Sequence, residues 1–216
     1  MPGESLFNAL EPLLERVNKP IQYVGGELNS TVKDWNVGGH GPDGADLTTR
    51  WALMYPDAYE VGVPNQGVMI LYEVLNERPD ALAERTYAVW PDMEAQLREA
   101  GLPQFTVDGH RSVRDFDLFG LSFSTELGYT NMLTALDLAG IPLHAADRDV
   151  DDPIVVAGGH AAFNPEPIAS FIDAAIVGDG EQAVLTVTDI VGDWKAAGRP
   201  GGRHEVLLRL ARPSGR

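Results

Sequence analysis

Residues 154–167 read IVVAGGHAAFNPEP, a β-branched run that stops at Gly158 and Gly159 and passes into an Asn-Pro-Glu-Pro turn. Residues without a Cβ at a strand end can take positive φ or let another molecule lie against the backbone. Open α/β sheets bind ligands at such places, and the competing reading is an ordinary tight turn between strand and helix. His160, next to the pair, could act as a ligand or a proton carrier, although no second His or carboxylate stands at metal spacing from it. Three other segments carry chemistry of a similar kind. PDAYEVGVPNQG (56–67) sets Asp57 and Glu60 ahead of a helix that Asn65 would cap, so the acids read either as site groups or as solvated ones. SFSTELGYTN (122–131) places Ser122 and Ser124 at alternate positions, where hydroxyls can hydrogen-bond a ring or an amide without adding charge, and offers Thr125 as a helix cap. In IVGDGEQA (176–183), Gly178-Asp179-Gly180 opens a helix like a dinucleotide fingerprint, but the third glycine is missing. Asp179 and Glu181 would repel a pyrophosphate, which leaves a neutral or amide-rich ligand tail. No Ser-His-Asp order, paired-carboxylate spacing or Walker loop is present, so no catalytic residue is assigned.

These positions need strands that end together. RWALMYP (50–56), TYAVWP (86–91), DLFGLSFS (117–124), PIVVAGG (153–159) and DAAIVG (173–178) read as strands. Helices are expected at 65–78, at 92–101 with a closing glycine, from about Leu127 to Ala139 before Gly140, and from Glu181 towards Ala197. Strand and helix alternate, which predicts right-handed crossovers and a doubly wound, mainly parallel α/β sheet of flavodoxin- or Rossmann-like type over residues 47–198. Residues 1–46 are expected to form an N-terminal helix with Leu6, Leu10, Leu13, Leu14 and Val17 on one face, followed by an irregular arm. Residues 199–216 read as a basic linker or a truncated tail.

The chain has 216 residues, with 16 Lys and Arg against 32 Asp and Glu, a net charge of −16. That balance repels phosphate backbones and anionic lipid, so nucleic acid is not an expected partner for this chain alone. With no cysteine in the chain, disulfides, thiolate zinc sites and cysteine-held iron–sulfur clusters are excluded within it. No signal peptide and no apolar run of bilayer length is seen, and a soluble cytoplasmic protein is expected.

Taken in order, GGELNSTVKDW (25–35), residues 55–101, LSFSTELGYTNMLTALDLAGIPL (121–143), AGGHAAFNPEP and VGDGE resemble the N-terminal part of a family of radical S-adenosylmethionine proteins that carry a cobalamin-binding-like domain before the radical domain. Cobalamin domains bear D-x-H-x-x-G after the first strand, S-x-L after a later one, and then a glycine pair. Asp57-Ala58-Tyr59-Glu60-Val61-Gly62 keeps the aspartate and glycine of the first motif but puts Tyr59 where the cobalt-ligating histidine would stand. A protonated phenol is a poor metal ligand, so histidine-on binding is not expected. Ser122-Phe123-Ser124 resembles S-x-L with its last residue changed. The resemblance implies a cobalamin-type cleft lined by Asp57, Tyr59, Gly62, Ser122, Ser124, Gly158, Gly159, Gly178 and Gly180. That cleft would bind the cofactor without a protein cobalt ligand, or survive as a vestigial scaffold.

The family's S-adenosylmethionine and 4Fe-4S cluster belong to a cysteine-bearing domain that this chain lacks. An excised domain, a split partner and a shortened gene product are all open. The expected role is an accessory cofactor- or substrate-binding domain serving a radical enzyme domain in cis or trans. The alternative is a non-catalytic module whose N-terminal arm and acidic face dock a separate radical-enzyme partner. A flavin or nicotinamide enzyme would need a phosphate loop that is not seen.

Overall fold

The computed structural model describes residues 2–212. Five strands, β1 (Thr49–Tyr55), β2 (Ala81–Tyr87), β3 (Leu118–Ser122), β4 (Ile154–Gly158) and β5 (Ala174–Ala175), form one sheet. All pairs are parallel and the order is β2-β1-β3-β4-β5. The chain therefore winds outward from β1 in one direction, then returns past it and winds in the other.

Helices cover both faces, as a parallel sheet requires, because neither face can be left to water. The helices in chain order are α1 (Phe7–Leu14), α2 (Tyr59–Gly62), α3 (Gln66–Asn76), α4 (Pro91–Ala100), α5 (Tyr129–Ala139), α6 (Gly180–Ala196) and α7 (Gly202–Ala211). Trp51, Leu53, Leu118, Ile154 and Val156 face α3, α6 and α7. Ala52, Met54, Phe119, Leu121, Val155 and Ala157 point the other way, into a core completed by α5. A third cluster joins α1 to α4 through Leu10, Leu13, Met93 and Leu97. The helix ends follow local chemistry: the Asn65 side chain accepts a hydrogen bond from Val68 N at the start of α3 (3.0 Å), and Gly101 and Gly140 close α4 and α5 in the left-handed conformation. Thr125, read as a cap, makes no side-chain capping bond.

Three segments differ from the sequence expectation. The second strand begins at Ala81 rather than Thr86 and is buried throughout, including Glu84 and Arg85. These charges disguise the strand, and each is paired inside: Glu84 with Arg111 and Thr106, Arg85 with Asp108 at 2.7 Å. The fifth strand shrinks to two residues. Residues 202–211, read as linker, form α7, whose Val206 is fully buried. A buried triad holds this helix, with Asp173 Oδ2 accepting from Arg203 Nη2 (2.6 Å), Arg148 Nη1 (2.9 Å) and the backbone N–H of Val155 (2.7 Å). Residues 213–216 of the expected tail lie outside the described residues.

The N-terminal arm is strapped to the sheet. Lys33 Nζ donates to the carbonyls of Arg78 (2.8 Å) and Ala81 (2.9 Å), Thr31 N donates to Tyr72 Oη (2.7 Å), and Arg50 Nε donates to the Trp35 carbonyl (2.9 Å). Among the described residues, no helix is long and apolar enough to cross a membrane.

Candidate functional site

The winding reverses between β1 and β3, and in doubly wound sheets the crevice beyond the C-terminal strand ends at that reversal is the usual ligand position. A cleft of about 470 Å³ opens there and runs down between α3 and α6 onto the sheet. Its volume lies within the ordinary range for small-molecule sites.

The inner walls are apolar. Trp51, Leu53 and Val156 rise from the strands, Val68 and Leu71 from α3, and Val184 from α6. Gly120, in the middle of β3, lets the floor side chains close over it, since a Cβ there would stand 3.1 Å from both Leu53 Cδ2 and the Trp51 ring. The one polar atom of Trp51 is spent elsewhere, since its Nε1 donates to Thr188 Oγ1 at 2.9 Å.

The mouth is built from the loops after β3, β4 and β5. Ser122, Gly158, Gly159, Gly178 and Gly180, all expected from the sequence, come together here with His160, Phe163, Asp179 and Glu181. The two members of the glycine pair have different duties. Gly159 sits at φ +87, and a Cβ on it would lie 2.5 Å from the Phe123 carbonyl oxygen, so backbone geometry demands glycine. Gly158 has no positive φ, and a Cβ would meet nothing within 4 Å; its missing side chain opens the cleft. Phe163 presents its ring at the rim with 64% of its surface exposed.

The other four expected residues lie outside the lining. Asp57 turns back to accept a hydrogen bond from Ala58 N at 2.7 Å. Tyr59 stacks edge-on against Tyr87 and donates to Glu27 Oε1 at 2.8 Å, tying α2 to the arm. Burial, and then the hydrogen bond to Glu27, push its phenol up to about 12, so Tyr59 stays protonated and unavailable as a metal ligand. Gly62 is a packing residue, since a Cβ would collide with the Tyr87 ring. Ser124 Oγ accepts from Tyr55 Oη at 3.2 Å. Sequence reading missed Gly120 and the apolar walls. An isolated glycine inside an apolar strand pattern was the available signal for the first, whereas the walls look like any core.

Fold and cleft together define a doubly wound α/β domain with a glycine-rimmed, apolar crevice at its strand ends. A family model described as "Radical SAM proteins, N-terminal" matches residues 67–216, and the chain belongs to that family of N-terminal regions. No curated protein and no solved structure matches it.

Proposed function

We propose that this chain is the accessory cofactor- or substrate-binding domain of a radical S-adenosylmethionine enzyme, and that its strand-end cleft takes a cobalamin-type ligand without a histidine cobalt ligand. The observation that carries the proposal is the cleft itself. An apolar socket floored by Gly120 opens at the winding reversal, with Gly158 leaving its mouth clear. The apolar walls would favour a flat ring system, and the Ser122 hydroxyl would meet amide groups at the mouth. Tyr59 does not fit the role of cobalt ligand, because its hydroxyl is committed to Glu27. A bound corrinoid would supply radical or group-carrier chemistry through its metal. The chain's own residues would seat and orient it, and the S-adenosylmethionine and 4Fe-4S chemistry would reside in a radical domain joined in cis or in trans.

Anaerobic titration with hydroxocobalamin, followed by visible spectra and calorimetry, tests the reading. Wild-type protein is expected to bind in the micromolar range, with no spectral sign of histidine coordination. Gly158→Val fills open space on an extended strand residue, so it is expected to abolish binding while leaving the melting temperature unchanged. No binding at high micromolar ligand would sink the proposal. Equal binding by wild type and Gly158→Val would remove the cleft from it.

A further inference from the structure

The lining of the cleft has a charge pattern of its own. Among the described residues that line it there is no lysine or arginine, while Asp179 and Glu181 stand at the mouth, one on each side of Gly180. Both are exposed, and neither carboxylate has a hydrogen-bond or ion-pair partner among the described residues. Asp179 occupies the N-cap position of α6 without making a side-chain capping bond. The N-terminus of a helix 17 residues long would otherwise attract an anion through its dipole and free N–H groups. Here two negative charges are set over it.

From this geometry we infer that the cleft discriminates among ligands by charge, favouring an uncharged ring system that bears hydroxyl or carboxamide groups over the phosphomonoester of the same molecule, and weakening without barring a singly charged phosphodiester. The inference rests on the proposed reading of the cleft as a ligand site and names the chemical class it takes. An apolar floor favours a neutral ring. Hydroxyls and carboxamides both donate and accept, so they can meet the carboxylates of Asp179 and Glu181 and the first N–H groups of α6 at once. A phosphate dianion only accepts, and it would sit beside two carboxylates with no lysine or arginine among the described lining residues to offset them.

A matched pair of probes isolates the effect: a benzimidazole ribonucleoside and its 5′-monophosphate, identical but for one phosphate. By calorimetry at low salt the wild type is expected to prefer the nucleoside by about tenfold, a gap that narrows as salt screens the mouth. In the isosteric double variant Asp179→Asn/Glu181→Gln the gap is expected to close, chiefly through tighter binding of the monophosphate. That variant is also expected to bind hydroxocobalamin, whose nucleotide tail carries a phosphodiester, more tightly than the wild type. Equal or stronger binding of the monophosphate by the wild type overturns the inference, and so does a gap that persists in the double variant. Protein that binds hydroxocobalamin but not the nucleoside also overturns it and leaves the proposed function standing. Failure of hydroxocobalamin and both probes removes the proposed function as well.

Discussion

At the scale of single residues, Gly158 and Gly159 look alike in the sequence and act differently in the fold. Gly159→Ala places a Cβ at φ +87 and 2.5 Å from the Phe123 carbonyl, so chemical denaturation is expected to show a loss of about 1–3 kcal/mol. Gly158→Val is expected to lose ligand and keep stability, the opposite result from the neighbouring position. That the glycines and Ser122 line one cleft was legible because a strand that ends in small residues marks a loop where something can approach. Asp57 and Ser124 were noted at strand ends and Tyr59 and Gly62 entered through likeness to cobalamin domains; here all four make local hydrogen bonds or packing contacts outside the cleft lining. In this chain the motif spacing survives where its ligand geometry does not. Sequence spacing cannot show where a side chain such as Tyr59 points.

Among the elements, α7 depends on one buried carboxylate. Asp173→Asn would leave Arg148 and Arg203 facing a neutral group in a buried site, and breaking such a pair costs about 3–5 kcal/mol. Urea denaturation should show that loss, and far-ultraviolet dichroism should show reduced helix content if α7 detaches before the sheet melts. The sequence concealed α7 because its arginines and the preceding Gly-Arg-Pro-Gly-Gly read as a solvated tail; the acid that anchors it lies 30 residues upstream. The beginning of β2 was hidden for the same reason, since Glu84 and Arg85 are buried only because Arg111 and Asp108 arrive from a distant loop. Strands with apolar runs, such as β1, β3 and β4, needed no such partner to be recognised.

For the whole molecule, charge sets the working range. Burial and the nearby Glu27 and Asp108 carboxylates push Tyr59 and Tyr72 up to about 12, and burial raises Tyr87 further still. Phenols ordinarily ionise near 10, so the stability these groups supply is complete below that pH and is lost as pH rises through their folded values. Alkaline unfolding is expected between about pH 10 and 12 and should coincide with the rise of phenolate absorbance; phenolate appearing well before loss of dichroism would refute it. At the acid end, burial opposes ionisation of Asp46, but its hydrogen bond to Arg50 and the charge of Lys195 outweigh that and hold it at about 2. Its contribution is present above the ordinary value of 3.8 and fades as pH falls towards 2. A net charge of −16 also predicts that added salt raises the melting temperature by relieving self-repulsion. One further consequence comes from the margins of the sheet. The outer side of β2 is occupied, with Val107 N donating to the Arg85 carbonyl at 2.8 Å and Lys33 to that of Ala81, while the opposite margin, β5, is only two residues long. A foreign strand finds no template on either side, so the polypeptide is guarded against edge-to-edge polymerisation. It is expected to remain monodisperse at the concentrations its ligand titrations require.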